Sequence, residues 1–382
     1  MWVQALNLIN FRSYDDVTVA CDQGVNIFVG PNGQGKTNIV EAIYYLATLG
    51  SHRVSSDQPL VKTGSESAVI RAMFVQEDKS VSIDLEIKPG KTNRAKVNRS
   101  QVTRSRDILG IIRAVMFSPE DLSLVKGDPG ERRNFLDETL IQRFPRFSGV
   151  KADYEKVLKQ RNALLRSPNK ENIESTLEVW DDQLIKLGTE IIFHRVQLIN
   201  DLQPFFIDRY HTISGGQQAV SSSNVRLEYQ SKFMSSVDLA PLEIASEFKE
   251  ALGIRRRDEL IRGVTLVGPH RDELLLTLGE LPIKGFASHG ESWSASLALR
   301  LASADVLRAD GVEPIMILDD VFAELDTMRR ETLVELVRDA PQVFITAAVE
   351  GDIPLSIGGV TSRVSLGSVQ RVVPDEQVNS HE

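Results

Sequence analysis

The chain has 382 residues, 42% hydrophobic and 25% charged, an ordinary globular composition that excludes the disordered classes and leaves room for two or three domains or one domain with a large insertion. A net charge of -9 excludes a uniformly basic coat for nucleic acid but not a local basic patch, and the single cysteine, Cys21, excludes an intramolecular disulfide. No apolar run reaches the ~18 residues a membrane span needs, and the start MWVQALNLINFR lacks the features of a signal peptide, so the expected home is a reducing cytoplasm with no membrane partner.

Residues 2–8 (WVQALNL) and 15–20 (DDVTVA) have strand composition and are expected as edge strands. Between them, Asn10-Phe11-Arg12-Ser13-Tyr14 suits two readings: a turn around a buried Phe11, or a turn that offers Arg12 to a bound nucleotide.

The nucleotide is suggested by the next stretch, residues 25–49 (VNIFVGPNGQGKTNIVEAIYYLATL), which reads as strand, glycine loop and helix. The loop Gly30-Pro31-Asn32-Gly33-Gln34-Gly35-Lys36-Thr37 fits G-x-x-x-x-G-K-[ST]. Its glycines let backbone N–H groups turn inward around a polyphosphate, where side chains would block the approach. Lys36 is then placed to reach the β- and γ-phosphates and Thr37 to put its hydroxyl on Mg²⁺, with the helix N-terminus aimed at the anion.

After this helix, 69–75 and 81–87 alternate apolar and polar residues, and Pro89-Gly90 turns into a third strand near 95–97, an antiparallel meander. Lys88, Lys91, Arg94, Lys96, Arg99, Arg104 and Arg106 fall here without an acidic residue from 88 to 106. Such a run suits duplex DNA or a solvated face. Ile111–Phe117 reads as a buried strand, and Lys126–Arg133 as a turn cluster opening a helix at Phe135. The paired Arg132 and Arg133 suit phosphate, and equally a salt bridge to Asp137 or Glu138.

From about 147 to 212 the pattern is helical, with a break at Ser167-Pro168-Asn169 and an end near Pro204, giving two antiparallel helices. Residues 214–224 look like an exposed loop, 225–229 like a strand, and 241–252 like a helix before the small basic cluster Arg255-Arg256-Arg257.

Two motifs toward the end bear on the glycine loop. Ser288-His289-Gly290-Glu291 opens a helix striped by Trp293, Leu297, Leu301 and Ala304, and Ser288 and Gly290 can either cap it or meet a γ-phosphate. Residues 314–320 (PIMILDD) form an apolar strand ending in two acids, of which Asp319 suits Mg²⁺ and Asp320 suits polarising the attacking water; a helix cap is the plainer alternative. Glycine loop, Ser-x-Gly helix, Asp-Asp strand and then Ala323-Glu324-Leu325-Asp326 is the order of an ABC-type ATPase, in which the serine helix of one protomer completes its mate's site. Lys36 and Asp319 lie some 280 residues apart, so an insertion must split the ATPase.

At this level the chain resembles the RecF family, ATPases related to the heads of SMC-like proteins. The likeness rests on Leu8-x-x-Phe11-Arg12-x-Tyr14, the GPNGQGKTN loop, Phe117-Ser118-Pro119-Glu120-Asp121-Leu122, Lys126-Gly127-Asp128-Pro129-x-x-Arg132-Arg133-x-Phe135-Leu136-Asp137, Gly268-Pro269-His270-Arg271-Asp272 and Leu318-Asp319-Asp320-Val321-Phe322-Ala323-Glu324-Leu325-Asp326. It implies an ATP-dependent homodimer that binds double-stranded DNA near single-strand gaps and helps RecO and RecR load RecA, with slow hydrolysis serving release. It also implies that Lys36 and Thr37 hold phosphate and magnesium, Asp319 magnesium and Asp320 the water. Ser288 and Gly290 would meet the partner's nucleotide, and Arg12, Asn38 and Asp326 would join the rest of the loop around ATP.

The expected fold is therefore α/β, a P-loop ABC-type ATPase head (SMC-like) made of residues 1–117 and 265–382, with an inserted lobe of helices and a few strands at 118–264. The rival function is the nucleotide-binding subunit of an ABC transporter, against which stand the long middle segment and the basic run from Lys88 to Arg106.

Overall fold

The computed structural model describes residues 1–77, 79–167, 173–215 and 225–372. In chain order its elements are β1 (Trp2–Phe11), β2 (Tyr14–Ala20), β3 (Gly24–Val29), α1 (Lys36–Thr48), β4 (Ala68–Gln76), β5 (Lys79–Ile87), β6 (Arg94–Val97), β7 (Ser100–Gln101) and β8 (Ala114–Phe117). The middle runs α2 (Leu122–Lys126), α3 (Pro129–Arg143), α4 (Phe147–Leu165), α5 (Ile173–Ile213), β9 (Val225–Gln230), α6 (Pro241–Arg262), β10 (Glu273–Leu278), β11 (Leu281–Pro282), the short turn α7 (Ile283–Phe286) and α8 (His289–Ala309). The chain closes with β12 (Ile315–Asp319), α9 (Thr327–Val337), β13 (Gln342–Ala347), β14 (Val360–Ser365) and β15 (Ser368–Arg371).

Two compact units result, one of Met1–Glu120 with Gly311–Glu382 and one of Asp121–Asp310. The expected division put 265–310 with the chain ends, whereas these residues, including all of α8, pack in the middle unit.

In the first unit an antiparallel sheet runs β2-β1-β4-β5-β6-β7, and a second sheet runs β15-β14-β3-β13-β12-β8. The strands from β14 to β8 are parallel, as expected of strands that return through helices. The side chains of β12 and β13 are buried throughout, which is why their sequences are continuous apolar runs instead of alternations. Helix α1 has ten of thirteen residues buried and joins a core that draws on both sheets, from Leu6, Ile70 and Leu85 to Phe28, Ile317 and Phe344. The expected meander is present as β4, β5 and β6. The strand at the chain start differs from expectation: β1 is an inner strand between β2 and β4, its Val3, Leu6 and Leu8 buried, because an antiparallel sheet hides one face whatever the strand's rank.

In the second unit α5 packs on α4 and α8, and β9, β10 and β11 form a small antiparallel sheet. Helix α5 passes through Pro204 where an end was expected. Leu202, Phe206, Tyr210 and Ile213 are buried and continue the apolar stripe, so packing outweighs the ~3 kcal/mol that an interior proline costs. Helix α6 also overruns its expected end at Leu252 and stops at Gly263, whose positive φ lets its N–H reach Glu259 O at 2.8 Å. Residues 168–169 of the expected break and 216–224 of the expected loop lie outside the described residues.

Ion pairs tie this unit together. Fully buried Arg161 meets Asp181 at 2.7 Å, Glu259 at 2.6 Å and Thr265 Oγ1 at 2.8 Å. Arg195 grips both oxygens of Asp137 and donates to Pro269 O at 2.7 Å. Arg132 makes a bidentate pair with Glu273 at 2.7 and 2.9 Å, and Arg133 donates to Asp272 O at 2.8 Å. Arg132 thus serves the salt-bridge reading, with Glu273 in place of Asp137 or Glu138, while Arg133 binds a backbone carbonyl. No described helix is long and apolar enough to cross a membrane.

Candidate nucleotide site

Strand β3 delivers the glycine loop at the end of the parallel sheet. At Gly30 a Cβ would stand 2.2 Å from Val364 O, so the strand–loop junction accepts only glycine. At Gly35, with φ 108°, a Cβ would lie 2.7 Å from the Tyr14 hydroxyl, which donates to Gly35 O at 3.2 Å. Pro31, Asn32 and Gly33 form the exposed tip. Lys36 is buried, and its ammonium sits inside the loop on Gly30 O at 2.8 Å, Pro31 O at 3.3 Å and Asn32 Oδ1 at 3.4 Å. Gln34 Oε1 accepts from Leu366 N at 2.8 Å, pinning the loop's far side.

The acid pair arrives on β12, which is separated from β3 by the inserted strand β13. Asp319 Oδ1 accepts from Thr37 Oγ1 at 3.0 Å and from Thr346 Oγ1, at the end of β13, at 2.6 Å. Asp320 takes a left-handed conformation, φ 51°, held by its N–H on Thr346 O and Oγ1 at 3.2 and 2.9 Å. A non-glycine residue held there stores strain of the kind that accumulates at functional sites. Burial and then the neighbouring Asp319 charge push the Asp320 carboxyl above its ordinary range, against a smaller pull from Lys36.

These residues fit magnesium and a triphosphate. A hydroxyl and a carboxylate 3.0 Å apart are a suitable partial ligand set for a cation that takes its remaining oxygens from phosphate and water. Among the described residues, no cluster of three or more His, Cys, Asp or Glu is placed to hold a metal on protein groups alone.

The remaining expected residues are placed as follows. Arg12 does not reach toward the loop: its guanidinium clasps Glu41 of α1 at 2.8 and 2.5 Å and donates to Pro59 O at 3.1 Å. Losing that cation would leave a fully buried carboxylate unpaired, which keeps Arg12 on Glu41, and no local pattern marks Glu41 as buried. Asn38 donates to Ser13 Oγ at 2.9 Å. Asp326 caps α9, accepting from Arg329 N at 2.9 Å. Ser288 caps α8 in a full capping box, its Oγ accepting from Glu291 N at 3.2 Å while Glu291 accepts from Ser288 N at 2.7 Å, and it is exposed beside half-buried Gly290. In the basic run Lys91, Arg94, Lys96, Arg99 and Arg104 are exposed and Lys88 and Arg106 half-buried. Arg94 stands opposite Glu86 and Lys96 opposite Asp84 on β5, so acids on the neighbouring strand face two of the seven cations.

Glu41, Ser51, His52 and Thr346 stand around these residues and carry no local motif that marks them in the sequence, whereas Tyr14 lies in the turn already read beside Arg12.

The loop at the mouth of β3, the acids two strands away and α1 between two sheets define a P-loop ATPase head of the ABC type, SMC-like, here interrupted by a helical unit. The sequence model of the family described as RecF/RecN/SMC N terminal domain matches residues 2–353. A DNA replication and repair protein RecF of Streptomyces avermitilis is 53% identical over 97% of this chain and 100% of its own length, and one of Frankia alni is 48% identical with the same coverage. A solved structure of the recombination mediator protein RecF in the RecFOR pathway, as RecF-ATPrS, superimposes with TM-score 0.85 at 27% identity, covering 97% of this chain and 98% of that one. A crystal structure of an SmcHead bound to the C-winged helix domain of ScpA shares the fold, with TM-score 0.54 at 17% identity over 97% of each chain. The chain belongs to the RecF family.

Proposed function

We propose that the chain is an ATP-dependent DNA-binding protein of DNA replication and recombinational repair. ATP joins two copies through the glycine loop of one and the Ser288–Gly290 helix start of the other. The paired form binds duplex DNA near single-strand gaps and, with RecO and RecR, promotes RecA loading; slow hydrolysis releases it. It works in the cytoplasm, on the nucleoid when DNA-bound. The observation that carries this reading is the Thr37–Asp319 contact, made by residues 282 positions apart in a chain similar end to end to named replication and repair proteins.

Each residue has a chemical task in this reading. The Lys36 ammonium exchanges loop oxygens for phosphate oxygens, and the N–H groups from Gly33 to Thr37 meet the anion at a helix N-terminus. Thr37 and Asp319 hold Mg²⁺, which when bound neutralises phosphate charge. Asp320, with its raised proton affinity, orients the attacking water and takes its proton. The transporter reading finds no support in relatives that match along the whole chain and are named for replication and repair.

The test is an electrophoretic shift of gapped duplex with and without ATP. The wild-type chain is expected to shift the duplex only with ATP, and Lys36→Arg to lose that dependence and the shift together. Equal shifts with and without nucleotide would reject the switch.

A further inference from the structure

Just beyond α1 the chain doubles back in a tightly bonded turn. Leu49 adopts a left-handed cap, and Thr48 Oγ1 both accepts from Gly50 N and donates to Gly50 O. Ser51 Oγ accepts from the N–H groups of Arg53 and Val54 at 3.0 and 3.2 Å and donates to Glu41 Oε1 at 2.5 Å. Glu41 is the carboxylate that Arg12 clasps. A continuous chain of hydrogen bonds, Arg12 to Glu41 to Ser51, therefore fixes residue 52.

That residue is a histidine whose side chain is 7% exposed and lies edge-on to Tyr44. Both its ring nitrogens are buried without a hydrogen-bond partner, an unfavourable state for polar groups. Its Nε2 stands 3.7 Å from Asp319 Oδ2. The two threonine hydroxyls both take the other oxygen of that carboxylate, Oδ1. A gap of 3.7 Å is too narrow for a bridging water and about 0.5 Å longer than an N–H···O bond.

We propose that His52 is a positioning residue of the magnesium site, donating Nε2–H to Asp319 Oδ2 when the metal is held and so fixing the carboxylate plane against Thr37. The inference rests on the nucleotide reading above. It explains why a buried imidazole is kept next to the acid pair with its valences unspent, and why a buried Arg12–Glu41 pair braces the turn that carries it. Partners of metal-ligating carboxylates typically tune metal affinity 10- to 100-fold.

The test is Mn²⁺ titration by electron paramagnetic resonance on the full chain loaded with the β,γ-imido analogue of ATP. His52→Phe keeps the ring packing on Tyr44 and removes both nitrogens; it is expected to weaken Mn²⁺ binding about 10-fold, while nucleotide affinity in EDTA stays at the wild-type value. His52→Gln restores a donor and is expected to recover most of the loss. Asp319→Asn, in the same assay, is expected to abolish Mn²⁺ binding. Wild-type Mn²⁺ affinity in His52→Phe together with loss in Asp319→Asn overturns the inference about His52 alone. Wild-type affinity in both overturns the nucleotide reading as well.

Discussion

The two units use the same residue types to opposite ends. In the first, Lys36, Thr37, Asp319 and Asp320 converge on a glycine loop, and their bonds are to loop carbonyls and one another's hydroxyls, which a phosphate or cation can replace. In the second, Arg132, Arg133, Asp137 and Asp272 come from motifs that look as chemical as the glycine loop, yet each is joined to a distant partner: a carboxylate, a backbone carbonyl, a guanidinium and the Tyr229 phenol, respectively. Arginine and aspartate in a distinctive sequence motif thus mark either a binding site or a brace. What separates the two is whether protein partners saturate the groups.

The largest expected effect lies in the brace. Arg161→Met leaves Asp181 and Glu259 facing a buried site without their shared cation, and should destabilise the chain by about 3–5 kcal/mol in denaturant titration. Nucleotide affinity of the folded fraction should change little. A large loss of affinity without loss of stability would erase the contrast between the units.

The second test is titration of the brace itself. Burial pushes the Asp272 carboxyl up to about 6, while burial, outweighing its other neighbours, brings His270 down to about 4. Above its ordinary range near 4, the raised acid binds protons in the folded state that the unfolded chain has released, so its contribution falls as pH rises from about 4 to about 6. The depressed histidine does the reverse: its contribution is present above about 6.5 and is lost as pH falls toward 4. The two oppose each other, each on the order of 3 kcal/mol by the shift-to-energy conversion. Asp272→Asn should therefore make thermal stability drop more steeply on acidification from pH 6.5 to 4, and His270→Gln should make it rise. Identical pH profiles in both variants and wild type would show that neither group is buried as described.

Much of the first unit was legible beforehand because its signals are local. The glycine loop, the apolar strand ending in Asp319-Asp320 and the β4–β6 meander each sit within a single stretch. The rest depends on partners remote in sequence. Arg132 finds Glu273 141 positions away, and Arg12 finds Glu41 instead of the loop, pairings for which no local pattern exists. Helix ends failed for a similar reason, since burial of Phe206 and Tyr210 carries α5 past Pro204. His52 was invisible because an isolated histidine after a helix has no signature until the chain brings it beside Asp319.

The smallest effects fall in the basic run, where some cations have acids opposite them on the neighbouring strand and others do not. Arg94 and Lys96 face Glu86 and Asp84, whereas Arg99 and Arg104 are exposed beyond those pairs. If this surface carries DNA, Arg99→Ala and Arg104→Ala should each reduce the slope of log affinity against log salt by about 1, and Arg94→Ala and Lys96→Ala by less. Equal slopes for all four would remove the run from the interface.

The central claim is that ATP holds two chains together across the glycine loop and the Ser288 helix start, and light scattering on the purified chain tests it most directly. With saturating ATP and Mg²⁺ the measured mass should double from the 42.5 kDa of one chain, and Ser288→Arg should hold it at the single-chain value. An unchanged mass in the wild type, or doubling in the Ser288→Arg chain, would contradict the account.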